Sequence, residues 1–183
     1  MANNLAYHHS ILPADPHDQA LVAACHPTDW VNPIAQGKYN LVVIGGGTAG
    51  LVSAGGTGGL GGKVALIEKS LLGGDCLVTG CVPSKALIRA ARAAYDVTRA
   101  KEFGGTCSRS PQFDFSAAMT RLRKLRASIA PHDSAERFKH EFNVDVFLGN
   151  GKFVSSDEIE VGGQRLHFDR AVIATGARAA IPP

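Results

Sequence analysis

No apolar run in the 183-residue sequence approaches the roughly 20 residues that a membrane span needs. The opening MANNLAYHHS has neither the basic start nor the apolar core of a secretion signal, so cytoplasm is the expected compartment. Charge of one sign is scarce as well. A net charge of +3 and a pI near 8.7 are too mild to direct the chain to nucleic acid or a membrane surface. Aromatics make up only 7% and none is interleaved with the one basic run, RLRKLR at 121–126, which therefore reads as a solvated helix face. Four cysteines are too few for a disulfide framework in a chain of this length. What is present, 45% hydrophobic and 19% charged residues, suits a globular protein with a sizeable core.

Two of the four cysteines stand close together, in GGDCLVTGCVPSK at 73–85. In a reducing compartment such a pair is more often catalytic or metal-binding than structural. A cycling disulfide needs one sulfur that attacks substrate, another that exchanges electrons, and a loop that closes without strain. Four residues between Cys76 and Cys81 allow that geometry. Pro83 suits a first helical turn, which places Cys81 at the N-terminus of a helix running to about Val97, where unpaired N–H groups favour its thiolate. Lys85 adds positive charge at the same end, able to stabilise a thiolate or a reduced, anionic cofactor. The pair Gly73 and Gly74 permits close backbone approach to a flat or phosphorylated group. Zinc would need two further ligands, and Cys25, Cys107 and the scattered histidines offer none at paired spacing.

Residues 1–38 hold four prolines and read as an extended leader with one short helix at 15–24. Cys25 is then an ordinary thiol in a polar leader and Cys107 one in a loop. His8 and His9 belong to the solvated leader, and Trp30 packs it onto the domain. From Tyr39 the pattern changes. YNLVVIGGGTAGL is a β-branched strand entering the triplet Gly45, Gly47 and Gly50, and VALIEK at 64–69 is a second strand that carries Glu68 and Lys69. Gly45 suits a tight turn, Gly47 a close approach to pyrophosphate and Gly50 helix-to-strand packing. Thr48 and Ala49 open the helix on which a pyrophosphate would rest, and Glu68 sits where an acid would accept hydrogen bonds from a ribose. That helix has to run through SAGGTGGLGG, where each glycine costs up to about 1 kcal/mol relative to alanine. Packing on the sheet or a structureless linker are the two readings of residues 53–60.

After the cysteine loop, Leu87, Ile88, Ala91, Ala94 and Tyr95 recur at helical spacing and predict one buried face. A loop follows at 101–112, then a stripe of Phe115, Met119, Leu122, Leu125 and Ile129, with Arg121, Arg123, Lys124 and Arg126 mostly opposite. Pro131 interrupts, His132 is a turn residue, and Asp133 is expected to cap a helix that continues to about Phe142. Five short strands are expected last, at 144–148, 151–154, 158–161, 165–168 and 170–175, with a glycine turn at Gly162 and Gly163 inside an antiparallel meander.

GGDCLVTGCVPSKAL resembles the redox-disulfide segment of the flavin-dependent pyridine nucleotide-disulfide oxidoreductases, the family of dihydrolipoamide dehydrogenase, glutathione reductase and mercuric reductase. RAVIATG, ending in Ala174, Thr175 and Gly176, resembles that family's second flavin motif. The order from Tyr39 to Pro183 follows the family pattern over about four-fifths of the chain. Family members often have Thr where Asp75 stands and Asn-Val in place of Val78 and Thr79; Asp75 leans toward the mercuric reductase-like branch.

The resemblance implies an α/β, Rossmann-like FAD-binding domain of the glutathione reductase type, a βαβ core with a meander insertion, over residues 39–183. It implies a chain that stops before the NAD(P)H and interface domains. The cofactor would be FAD with NAD(P)H as co-substrate, held by Gly45, Gly47, Thr48, Ala49, Gly50, Glu68, Lys69, Gly74, Asp75, Lys85, Ala174, Thr175 and Gly176. Catalytic roles fall to Cys81 as the thiol beside the flavin, Cys76 as the thiol facing substrate, and Lys85. The expected substrate is a small disulfide or Hg(II), with no nucleic-acid or membrane partner and a homodimer at full length. The competing reading is a flavin- or nucleotide-binding module without activity.

Overall fold

The computed structural model describes residues 11, 13–106, 112–177 and 180, so the readings of His8, His9 and Cys107 lie outside the described residues. Three apolar segments, β1 (Lys38–Ile44), β2 (Val64–Glu68) and β3 (Val144–Leu148), form a parallel core. Every residue of β2 is buried, the continuous apolar pattern expected of a strand covered on both faces. Three more strands, β4 (Lys152–Phe153), β5 (Glu158–Val161) and β6 (Gln164–Ile173), complete a single sheet in the order β3-β2-β1-β6-β5-β4.

The two strands expected at 165–168 and 170–175 are one strand. β6 pairs antiparallel with β5 through Gln164 to His167 and then parallel with β1 from His167 to Ile173. Asp169 lies within it, its carboxylate meeting Lys38 Nζ of the neighbouring β1 at 2.5 Å. β6 thus leaves the meander and enters the Rossmann-like sheet without a turn.

Helix α2 (Thr48–Gly59) connects β1 to β2 and is helical to its end, so the linker reading of residues 53–60 does not hold. Packing supplies the reason. A Cβ on Gly55 would stand 3.3 Å from the Phe138 ring, and one on Gly58 would stand 2.3 Å from the Phe142 carbonyl oxygen. The glycines let α2 lie against α6 (Ala135–Glu141) and the entry to β3. The propensity cost is offset by burial of Phe138, Val144 and Val146 in the same cluster.

The stretch read as an extended leader supplies a core helix. Asp15 caps α1 (Pro16–Cys25), its Oδ1 accepting from His17 and Asp18 N–H at 2.9 Å each. Leu21 and Cys25 are fully buried among residues of β1, β2 and β3. Cys25 is therefore not a thiol in a polar leader. Burial and the nearby Asp133 carboxylate push its pKa up to about 12. Beyond α1, Trp30 Nε1 donates to Val146 O at 3.1 Å, and the Asn32 amide bonds both Leu148 O and Leu148 N. These contacts cover the outer edge of β3.

Helix α5 (Phe115–Ile129) packs on α1, and the expected solvated basic face is divided. Arg121 and Lys124 are exposed, whereas Arg123 pairs with Asp15 at 2.5 Å and Arg126, 9% exposed, pairs with Asp18 at 2.5 Å. Helix α6 is capped by Ser134, whose Oγ accepts from Arg137 N–H at 3.2 Å, rather than by Asp133; the intervening 3-10 turn Ala130–Asp133 absorbs that residue. The 101–112 segment also begins with a 3-10 turn, Ala100–Phe103. The second face of the sheet is covered by Ile159, Val161, Leu166 and Phe168, which pack on Tyr39, Val42, Ala65, Ile67 and Phe147. Among the described residues, no helix is long and apolar enough to cross a membrane.

Candidate functional site

A cleft of about 660 Å³ opens at the carboxyl ends of the four parallel strands. Its wall is Ile44 and Gly45 after β1, Glu68 and Lys69 after β2, Gly149 and Asn150 after β3, and Ala174 and Thr175 after β6. That is where open α/β sheets place ligands, at the point where connections leave β1 and return on its other side. The strand ends are laced together by Gly45 N–H to Ile67 O, Gly149 N–H to Glu68 O and Ala174 N–H to Ile44 O, each 2.8 Å.

The glycines make the cleft possible. Gly45 has φ +105°, and a Cβ there would sit 2.2 Å from Ala174 O. Gly74, at φ +53°, would drive a Cβ to 2.7 Å from Gly47 Cα, so two bare backbones cross at the cleft floor. A Cβ on Gly50 would meet Gly45 O at 1.7 Å, which is how α2 sits so close to the end of β1. Gly47 is the N-cap of α2 and supplies no side-chain cap, leaving first-turn N–H groups directed at the cleft end of the helix. Glu68 is 8% exposed; its carboxylate accepts from Gly46 N–H and Ser70 N–H, both at 2.6 Å. Each oxygen keeps a second acceptor position.

Cys76 sits in a five-residue helix, α3 (Gly74–Val78), and Cys81 is the first residue of α4 (Cys81–Thr98), as the position of Pro83 predicts. Both thiols are free; Cys76 is partly exposed and Cys81 exposed. The turn between them is held by Asp75 O, which accepts from Thr79 N–H at 3.1 Å and Gly80 N–H at 2.5 Å. The Cys76 thiol is raised above its usual pKa, first by its hydrogen bond with Cys81 and then by desolvation. The Thr48 hydroxyl and the Lys85 charge act in the opposite direction. These causes show that the pair, the first turn of α2 and Lys85 lie together.

Of the residues expected from sequence, Gly45, Gly47, Glu68, Lys69, Gly74, Asp75, Ala174, Thr175 and Gly176 line the cleft. Thr48, Ala49 and Gly50 do not line it: Thr48 turns to Cys76, and Gly50 packs on Gly45. Cys76, Cys81 and Lys85 stand beside it. Sequence reading missed Gly149, Asn150 and Gly151, which enter the cleft only because β3 pairs with β2. The signal was a Gly-Asn-Gly turn directly after a third parallel strand. Among the described residues, the expected buried face of α4 is also absent. Ile88 is 65% and Tyr95 57% exposed, and only Ala86 of this helix is buried, because α5 covers it from one side alone.

A dinucleotide fits this site. The volume lies within the usual range of cofactor clefts, the floor is backbone that any Cβ at Gly74 would obstruct, and a buried acid ends the second strand.

A family model described as pyridine nucleotide-disulphide oxidoreductase matches residues 39–183. The dihydrolipoyl dehydrogenase of Acholeplasma laidlawii is 34% identical over 151 residues, covering 80% of this chain and 43% of that protein. The mercuric reductase of Lysinibacillus sphaericus is 34% identical over 149 residues, covering 81% and 27%. Among solved structures, the Cu(II) complex of the HOCl-induced flavoprotein disulfide reductase RclA from Escherichia coli superposes with a TM-score of 0.65 at 28% identity, over 81% of this chain and 31% of that one. The chain therefore spans less than half the length of each of these relatives.

Proposed function

Because the chain belongs to the pyridine nucleotide-disulphide oxidoreductase family, we propose that it binds FAD in the cleft at the strand ends and carries, in Cys76 and Cys81, the redox disulfide of an NAD(P)H-dependent oxidoreductase. The observation that carries this reading is the juxtaposition of two accessible thiols with the N-terminus of α2 and a dinucleotide-sized cleft. Gly45, Gly47 and Gly74 would take the pyrophosphate, Glu68 the adenosine ribose, and Asp75, Ala174, Thr175 and Gly176 the remaining wall. When bound, FAD supplies two-electron transfer between a nicotinamide and the thiol pair.

The chain's own residues account for the thiol chemistry. Cys81 opens α4, next to the Cys76 sulfur. The Cys76 thiolate, more accessible when Thr48 donates to its sulfur, attacks one sulfur of a small disulfide; that S–S bond breaks and one substrate thiol leaves. The Cys81 thiolate then attacks Cys76 in the mixed disulfide, releasing the second thiol and closing Cys76–Cys81. Two electrons pass to the substrate and the pair is oxidised. Soft Hg(II) is the other substrate suited to paired thiolates, and relatives named dihydrolipoyl dehydrogenase and mercuric reductase support both choices. The active form would be a homodimer of the full-length protein.

The second reading, a flavin-binding module without turnover, draws on the fraction of its relatives that the chain spans. Adding FAD to the purified chain with its thiol pair oxidised, then photoreducing the bound flavin under anaerobic conditions, separates the two. Bleaching of the flavin absorbance with a gain of two titratable thiols from the oxidised pair supports the oxidoreductase. Flavin bleaching without a gain of thiols supports the module, and no binding contradicts both.

A further inference from the structure

α3, the helix that carries Cys76, has only five residues and cannot hold its own geometry by internal hydrogen bonds. Both of its ends are tied to groups outside it. At the start, Gly73 N–H donates to Gly46 O at 2.8 Å, and Leu72 N–H donates to Cys25 O, the end of α1, at 3.1 Å. At the far end, Arg126 Nη1 donates to the Val78 carbonyl at 2.7 Å. The same guanidinium donates through Nη2 to Asp18 Oδ1 at 2.5 Å, and Asp18 is 2% exposed. Arg126 Nε and Asp18 Oδ2 are buried without a partner, so neither charge has an alternative set of contacts among the described residues.

We infer that Arg126, held by Asp18, is a positioning residue for the redox pair: it fixes the carbonyl end of α3 and so sets how readily Cys76 and Cys81 meet. The inference rests on the proposed redox role of the pair. A carbonyl at a helix end needs a donor, and a charged donor held rigid by a buried carboxylate is among the strongest available. The guanidinium reaches Asp18 and Val78 O through two separate nitrogens in a fixed fork, a geometry that the single nitrogen of a lysine does not reproduce.

The test is the equilibrium between the dithiol and the disulfide in the full chain. With oxidised glutathione as the oxidant, the reaction is Cys76–SH plus Cys81–SH plus GSSG giving the intramolecular disulfide plus two GSH, read by acid quenching, alkylation and intact mass. Because removing Arg126 alone strands a buried carboxylate and endangers the fold, the variants are Arg126→Lys and the double variant Asp18→Asn/Arg126→Met, which removes both charges. Circular dichroism and urea midpoints verify folding. A role in stability alone is relieved in the double variant; a positioning role is not. The expected result is an equilibrium constant lower on the order of tenfold in the double variant, with Arg126→Lys also reduced. A folded double variant within twofold of the wild type overturns the inference while leaving the redox reading intact. A wild-type chain that forms no Cys76–Cys81 disulfide at any glutathione ratio overturns the redox reading and this inference with it.

Discussion

Cys76 is held above the ordinary thiol range chiefly because its neighbour Cys81 shares a hydrogen bond with it, while Thr48 and Lys85 oppose that shift. Removing Cys81 as alanine should therefore lower the Cys76 pKa, so that at pH 7 iodoacetamide reacts with Cys76 several-fold faster than in the wild type. Thr48→Val should slow it. Stopped alkylation followed by peptide mass mapping checks both; a rate in Cys81→Ala equal to or below the wild-type rate contradicts the assignment. Cys25, with its thiol pushed up to about 12, should stay unmodified in the native chain at the same pH. Asp133 gives the residue-scale pH dependence. Its carboxyl is raised by desolvation despite Arg137 and His132. A group raised on folding contributes stability that is complete below its unfolded pKa and lost as pH rises through the folded value, so its ionised form is a cost at neutral pH. Asp133→Asn should raise the urea midpoint at pH 7 and leave it nearly unchanged near pH 3.

At the scale of elements, the glycine-rich α2 makes the clearest contrast. A Cβ added at Gly56 would have nothing within 4 Å, whereas one at Gly58 would strike Phe142 O at 2.3 Å. Gly56→Ala should stabilise by up to about 1 kcal/mol, and Gly58→Ala should destabilise by about 1–3 kcal/mol despite the same gain in helix propensity. Urea denaturation of the two variants reads this directly. The same contrast explains what the sequence could tell. β1, the glycine triplet, β2 and the start of α4 were legible because strand periodicity, turn glycines and Pro83 are local signals. The course of α2 was ambiguous because its support, Phe138 and Phe142, lies some 80 residues further along. Arg126 looked solvated because the buried acid that claims it belongs to α1, whose docking no local pattern announces. The α4 stripe predicted burial that the described residues do not provide.

For the whole molecule, parallel pairing gathers segments from distant parts of the sequence at one end of the sheet: the glycine loop, Glu68, the Gly149–Gly151 turn and the Ala174–Gly176 motif. Nine of the expected cofactor residues meet there because strand ends converge wherever the strands are parallel. The cysteine pair reaches the same end because α3 begins where Gly74 crosses Gly47. The proposed flavin binding is thus the property that the cleft, the glycines and the thiol pair jointly support. Titration of the purified chain with FAD, followed by flavin fluorescence, tests it most directly, with Gly47→Ala as the comparison. Gly47 has φ −79° and a new Cβ would have only an ordinary 3.7 Å contact, so this substitution fills the cradle without straining the fold. Saturable binding of one flavin per chain, weakened about tenfold or more in Gly47→Ala, is the expected result; a folded wild-type chain that leaves FAD fluorescence unchanged, or a variant that binds it equally well, would contradict it.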